Sequence, residues 1–161
     1  METNNFTYMG NKDIQTYYNF IQEKTKNDEY YRYDVLANVN DYSVYDILQM
    51  KYDVDGDYSQ QYIELKGRYI NFTDYPDSAI DYSKIVSLQK LTNTTGIPSY
   101  FCAIYYNDKK LCLWKIDPDK EYQTTKMECQ ETQADPNRTA KKNKEMVLFP
   151  ISEAKTYNFK I

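Results

Sequence analysis

The amino-acid sequence predicts an α+β fold, a mixed central sheet begun by an antiparallel meander and flanked by two helices. Three features carry this expectation. Residues 30–72 hold three strand-like runs broken by turn signals, apolar residues recur at helical spacing over 13–26 and 80–92, and Tyr fills 19 of 161 positions against 4 Gly. Tyr suits strands and half-buried surfaces, so its abundance points to sheet with amphipathic packing. Codon bias in an AT-rich genome gives the same excess of Asn, Lys, Tyr and Ile, so the tyrosines are not in themselves a binding device.

The elements follow in order. "NKDIQTYYNFIQEKTKND" sets Ile14, Tyr17, Tyr18 and Ile21 on one face, with Asp13 in the first turn, which predicts a helix over 13–26. The meander comes next, interrupted at "NVND" and "DVDGDYS", where Asp55-Gly56 signals a turn between the second and third strands. After a proline-containing turn, Ile80, Ile85, Leu88 and Leu91 predict a second helix that stops before Gly96 and Pro98. "SYFCAIYYNDKKLCLWKI" reads as strand, turn, strand. Residues 117–144 are polar, with Pro118 and Pro136, and read as a long loop; "EMVLFPI" returns as a short strand. The expected organisation is one domain over 1–161, with its core at 13–116, the loop at 117–144 and a C-terminal strand segment at 145–161.

Composition narrows the function. The chain is 41% hydrophobic and 27% charged, ordinary for a folded domain and unlike a disordered one. No stretch approaches the ~18 consecutive apolar residues of a membrane span. "METNNFTYMG" has neither the basic nor the apolar region of a signal peptide. Cys102, Cys112 and Cys129 are an odd set without metal-ligand spacing, expected to be reduced, the first two as small core residues. A cytoplasmic location is expected, in a cell or for a virus-encoded protein made inside one. The net charge of −4 argues against non-specific coating of nucleic acid. Charge is uneven: Arg138, Lys141, Lys142, Lys144, Lys155 and Lys160 against Glu145 and Glu153 give +4 over 138–161, leaving −8 for the rest.

The stretch "DVDGDYSQQYIELKGR" admits three readings. As a calcium loop, Asp53, Asp55, Asp57 and Glu64 fall at positions one, three, five and twelve, but Tyr58 stands where the sharp turn needs glycine and the flanks alternate like strands. As a solvated hairpin, its carboxylates simply face water. The third reading adds Asp46 from "SVYDILQMKY". Alternation puts Glu64, Lys66 and Arg68 on one strand face, and a neighbouring strand can bring Asp46 beside Glu64. Two close carboxylates repel unless a cation sits between them, and Mg²⁺ is the natural one. A lysine beside that ion can orient or help deprotonate an attacking water. Acid, acid and lysine are the minimal equipment for metal-assisted phosphodiester hydrolysis.

This order of elements resembles the PD-(D/E)XK nuclease superfamily: a helix, a meander carrying "VYD" at 44–46 and "IELK" at 63–66, then a helix and strand, over roughly residues 13–116. The resemblance implies a restriction-endonuclease-like core in which Asp46 and Glu64 hold Mg²⁺ (or Mn²⁺), the Leu65 carbonyl completes the protein ligands and Lys66 acts on the water. It implies a metal-dependent nuclease cleaving DNA, possible as a homodimer, with structure-selective or relaxed specificity. Arg68, Lys84 and Lys90 are the candidate substrate contacts. Tyr45 replaces the proline of the motif's name, Asp34 rivals Asp46 for the first acid, and Glu23 is the candidate for the glutamate that some members add from the first helix. The competing expectation is a catalytically inactive protein that keeps this shell as a nucleic-acid or protein interaction module.

Overall fold

A computed structural model describes residues 8–38, 44–130 and 141–160. It is an α+β fold with a mixed central sheet. In chain order the elements are α1 (Tyr8–Thr25), β1 (Arg32–Ala37), β2 (Ile47–Tyr52), β3 (Tyr58–Arg68), β4 (Asp77–Asp81), α2 (Tyr82–Thr95), β5 (Ser99–Tyr105), β6 (Lys110–Ile116), β7 (Thr125–Gln130), β8 (Lys141–Pro150), a 3₁₀ turn (Ile151–Glu153) and β9 (Lys155–Asn158). Six strands form one sheet in the order β1-β2-β3-β5-β6-β9, and β4-β8-β7 form a second, smaller sheet. The meander β1–β2–β3 is antiparallel, whereas β3 and β5 run parallel across the α2 crossover.

Alternation along the strands divides the core in two. Ile47, Ile63, Leu65, Cys102, Ile104 and Leu111 face α1 and pack with its Tyr17, Phe20 and Ile21. Phe101, Ala103, Tyr105, Cys112, Trp114 and Ile116 face the other way, meeting Ile85 and Leu88 of α2 and Val147 and Phe149 of β8. Cys102 and Cys112 are buried free thiols, as core residues should be. Among the described residues no helix is long and apolar enough to cross a membrane.

Two differences from the sequence reading matter. The second helix begins at Tyr82, not residue 80, because Asp77–Asp81 pair with β8. Asp81 then caps the helix, accepting the Ser83 N–H at 3.0 Å, and Gly96 ends it in the left-handed region at φ 76° with its N–H on Thr92 O. The expected polar loop at 117–144 holds β7 and the first residues of β8. "TKMECQ" alternates only at Met127 and Cys129 and "KKNK" has no apolar residue, so the hydropathy signal for strands is short and weak; they join through backbone pairing from Thr125↔Met146 to Gln130↔Lys141. The remainder of that expected loop, residues 131–140, lies outside the described residues, as does most of the "NVND" break.

Candidate metal centre

Strand β2 starts at Ile47, opposite Ile63, so β3 runs on past its partner and leaves an open edge from Glu64 to Arg68. Odd-numbered residues of β3 turn their backbone groups toward that edge, since Tyr62 N–H and Arg68 C=O serve the β5 side. Two carboxylates cover the exposed N–H groups. Asp46 accepts the Leu65 N–H at 2.7 Å, and Asp13 accepts the Gly67 N–H at 3.2 Å. The Asp46 N–H in turn donates to Ile63 O at 3.0 Å, which locks the acid at the mouth of the strand pair. The N–H and C=O of one strand residue point the same way, so the Leu65 carbonyl faces this edge too.

Glu64 is the centre of the cluster. It is 1% exposed, the only charged side chain in the buried set of the described residues. Its Oε1 lies 3.5 Å from Lys84 Nζ and 3.9 Å from Lys66 Nζ. Its Oε2 is buried with no hydrogen-bond partner among the described residues. Burial raises the Glu64 pKa to about 7, the Asp46 charge adds to that, and the Lys66 and Lys84 ammoniums oppose it. An ionised carboxylate held this dry needs more positive charge than two lysines, each about one-third exposed, supply.

The site fits a hard divalent cation such as Mg²⁺ or Mn²⁺. The unpartnered Glu64 oxygen, the adjacent Asp46 carboxylate and the edge-facing Leu65 carbonyl are oxygen donors of the type such ions take. No group of three or more His, Cys, Asp or Glu side chains among the described residues is placed to hold a metal. The protein's share would therefore be two carboxylates and a carbonyl, and water and phosphate oxygens would fill the rest, as Mg²⁺ prefers.

The structure sorts the candidate residues. Asp46, Glu64, Leu65 and Lys66 come together, and Lys84 joins them from the first turn of α2. A lysine there opposes the helix dipole, a cost that its contact with Glu64 offsets. Arg68 shares the face but is committed to β4, its guanidinium donating to Ser78 Oγ and Ala79 O. Lys90 is exposed, about two-thirds of a turn around α2 from Lys84. Asp34 does not reach the site: it is exposed on β1 opposite Met50. Glu23 does not either, being an exposed partner of Lys26 at 2.8 Å.

The acid that α1 does supply is Asp13. Its carboxylate bridges Gly67 N–H and the Tyr106 hydroxyl. Burial raises its pKa, Tyr106 and Gly67 oppose that, and the charges of Asp46 and Lys66 are both felt there. Asp13 stands four residues before Tyr17 and eight before Ile21, on the apolar stripe of α1. An acid on a buried stripe was the available signal. The calcium reading fails on geometry. Asp53 Oδ1 accepts the Asp55 and Asp57 N–H groups in a tight turn, and Glu64 lies seven strand residues beyond Asp57, about 23 Å along β3.

Gly67 is where α1 meets this edge. A methyl group there would sit 2.6 Å from Asp13 Oδ1 and 3.0 Å from the Tyr106 ring. Gly67→Ala is expected to displace Asp13 and destabilise the protein by about 1–3 kcal/mol, measured by urea unfolding; a midpoint equal to wild type would show that the contact is not tight.

No protein-family model, curated protein or solved structure matches the chain.

Proposed function

We propose that this protein is a metal-dependent nuclease that hydrolyses phosphodiester bonds in DNA. The observation that carries the reading is the buried, unpartnered Glu64 oxygen beside Asp46, with Lys66 on the same strand face. Asp46, Glu64 and the Leu65 carbonyl would hold Mg²⁺ or Mn²⁺, which when bound lowers the pKa of water and offsets charge building on the phosphate. Lys66, one-third exposed at its side chain, stands where it can orient a water and neutralise that charge. Lys84 holds Glu64 from the opposite side and keeps a second ammonium within reach of a phosphate oxygen. Asp13 acts through the strand, holding the Gly67 backbone and hence the aim of Lys66.

Nicking of supercoiled plasmid and branched DNA with 1–10 mM Mg²⁺ or Mn²⁺ tests this. Cleavage is expected with either ion and not with EDTA. Asp46→Asn is expected to remove it, because asparagine retains an acceptor for the Leu65 N–H yet brings no charge to a cation. Equal cleavage by wild type and Asp46→Asn, or none by wild type with either metal, would leave the interaction-module reading in its place.

A further inference from the structure

Helix α1 covers only part of its sheet face. The pairings Tyr33↔Lys51, Gln49↔Gln61, Ile63↔Tyr100 and Tyr100↔Lys115 put all these residues on that face, and the opposite face carries Glu64 and Lys66. From the uncovered part a groove of about 680 Å³ runs round the end of the sheet to Trp114, Tyr122 and Phe149 of the other core; on the α1 face its lining includes Tyr33, Tyr100, Gln49, Lys51, Lys115 and Lys155. Its charge runs against the chain as a whole. Four lysines and two carboxylates line it, a local +2 on a protein of net −4.

Lysine and tyrosine are interleaved here. Lys51 Nζ sits 5.9 Å from the Tyr33 ring centroid, and Lys120 Nζ sits 4.9 Å from that of Tyr122. Tyr33 and Tyr100 are half-buried, braced against the α1 core on one side and open to the groove on the other. The floor holds two amides in fixed orientation: Tyr17 donates to Gln49 Oε1 at 2.6 Å, and Gln49 Nε2 donates to Gln61 Oε1 at 3.4 Å.

We propose that this groove binds single-stranded nucleic acid, with bases laid on Tyr33 and Tyr100 and phosphates met by Lys51, Lys115 and Lys155. Flat rings with flanking ammoniums are what an unpaired, sequence-tolerant strand requires, and a duplex hides the base faces that the tyrosines would take. An acidic peptide would satisfy the lysines but leave the ring faces unused. The inference does not depend on the metal centre and is tested without metal.

Fluorescence anisotropy of a labelled 15-nucleotide dT strand, in EDTA and 50 mM salt, is the measurement, with an rU strand and a blunt DNA duplex in parallel. Tyr100→Leu keeps the apolar packing and removes the ring, and is expected to weaken single-strand binding about 10-fold. The Lys115→Gln/Lys155→Gln double variant, both exposed positions, is expected to lower the salt slope by about 1.4. Lys126→Gln, exposed on β7, should leave affinity unchanged, and binding of dT, rU or both supports the site. Duplex bound as tightly as single strand, displacement of dT equally well by poly-glutamate, wild-type affinity in both variants, or no binding by wild type overturns it.

Discussion

Glu64→Gln is expected to make the metal-free protein more stable at pH 8 by on the order of 3 kcal/mol, the equivalent of moving a carboxyl from 4.5 to about 7. The sign follows from proton counting. Between those two pH values the folded state holds a proton that the unfolded chain has released, so this group's contribution is whole below about pH 4.5. It is lost as pH rises through about 7. Glutamine imitates the neutral carboxyl and has nothing to lose. The difference in unfolding free energy between variant and wild type should therefore grow from near zero at pH 4 to its full value at pH 8. Taking that difference cancels the opposing contributions of Asp13, whose pKa is raised, and Asp81, whose pKa is lowered by Ser83 and Lys144 against the effect of burial. Millimolar Mg²⁺ or Mn²⁺ should then reverse the ranking, stabilising wild type through RT ln(1 + [L]/Kd) and leaving Glu64→Gln unmoved. Denaturant melts at five pH values, with and without metal, give the full pattern. A difference that stays flat with pH would show that Glu64 is not held dry.

Lys66→Ala is expected to lower the rate of metal-dependent cleavage about 10²–10⁴-fold, the usual loss when a positioned proton-transfer group is removed. The ammonium is one-third exposed but lies 3.9 Å from the buried Glu64 carboxylate, so its loss should destabilise the metal-free protein as pH rises above about 7, and the rates are compared on folded protein with metal bound. On the proposed reading the loss should fall on kcat rather than KM, because there the lysine serves the reacting water and not the DNA backbone at large. A second readout separates this from a structural role. Lys66 is one of the two charges that lower the Glu64 pKa, so its removal should move the pH dependence of metal binding to higher pH. Lys84→Ala should share that shift with a smaller loss of rate, since Lys84 meets Glu64 from α2. Unchanged kcat in Lys66→Ala would remove the lysine from the chemistry.

Much of the architecture is written in hydropathy. The strands of the meander, the Asp55-Gly56 turn and the β5–β6 pair alternate clearly enough to be read from the sequence, and Glu64 and Lys66 share a face as alternation requires. The second sheet was not legible. β7 alternates only at Met127 and Cys129, the first residues of β8 are wholly polar, and a strand held by backbone pairing at a sheet rim leaves little periodic trace. Half of the candidate cluster was readable for the same reason: Asp46 directly precedes β2 and Glu64 lies on the next strand, β3, so a local register brings them together.

The other half depends on contacts between residues far apart in the chain. Asp13 reaches Gly67 across 54 positions and Tyr106 across 93, and which acid of α1 does so depends on where the helix starts and how it lies on the sheet. Lys84 enters, and Lys90 does not, because β4 takes residues 77–81 and resets the first turn of α2. The sequence alone determined the α+β class, the β2–β3 hairpin and which residue types share the β3 face, since all of these arise from periodicities of two and 3.6 acting over short spans. Tertiary structure alone decided that Glu64 is dry, that one of its oxygens stands unpartnered and that a tyrosine-lysine groove remains uncovered by α1. Burial depends on what the rest of the chain packs above a residue, and that is absent from the residue's own neighbourhood in sequence.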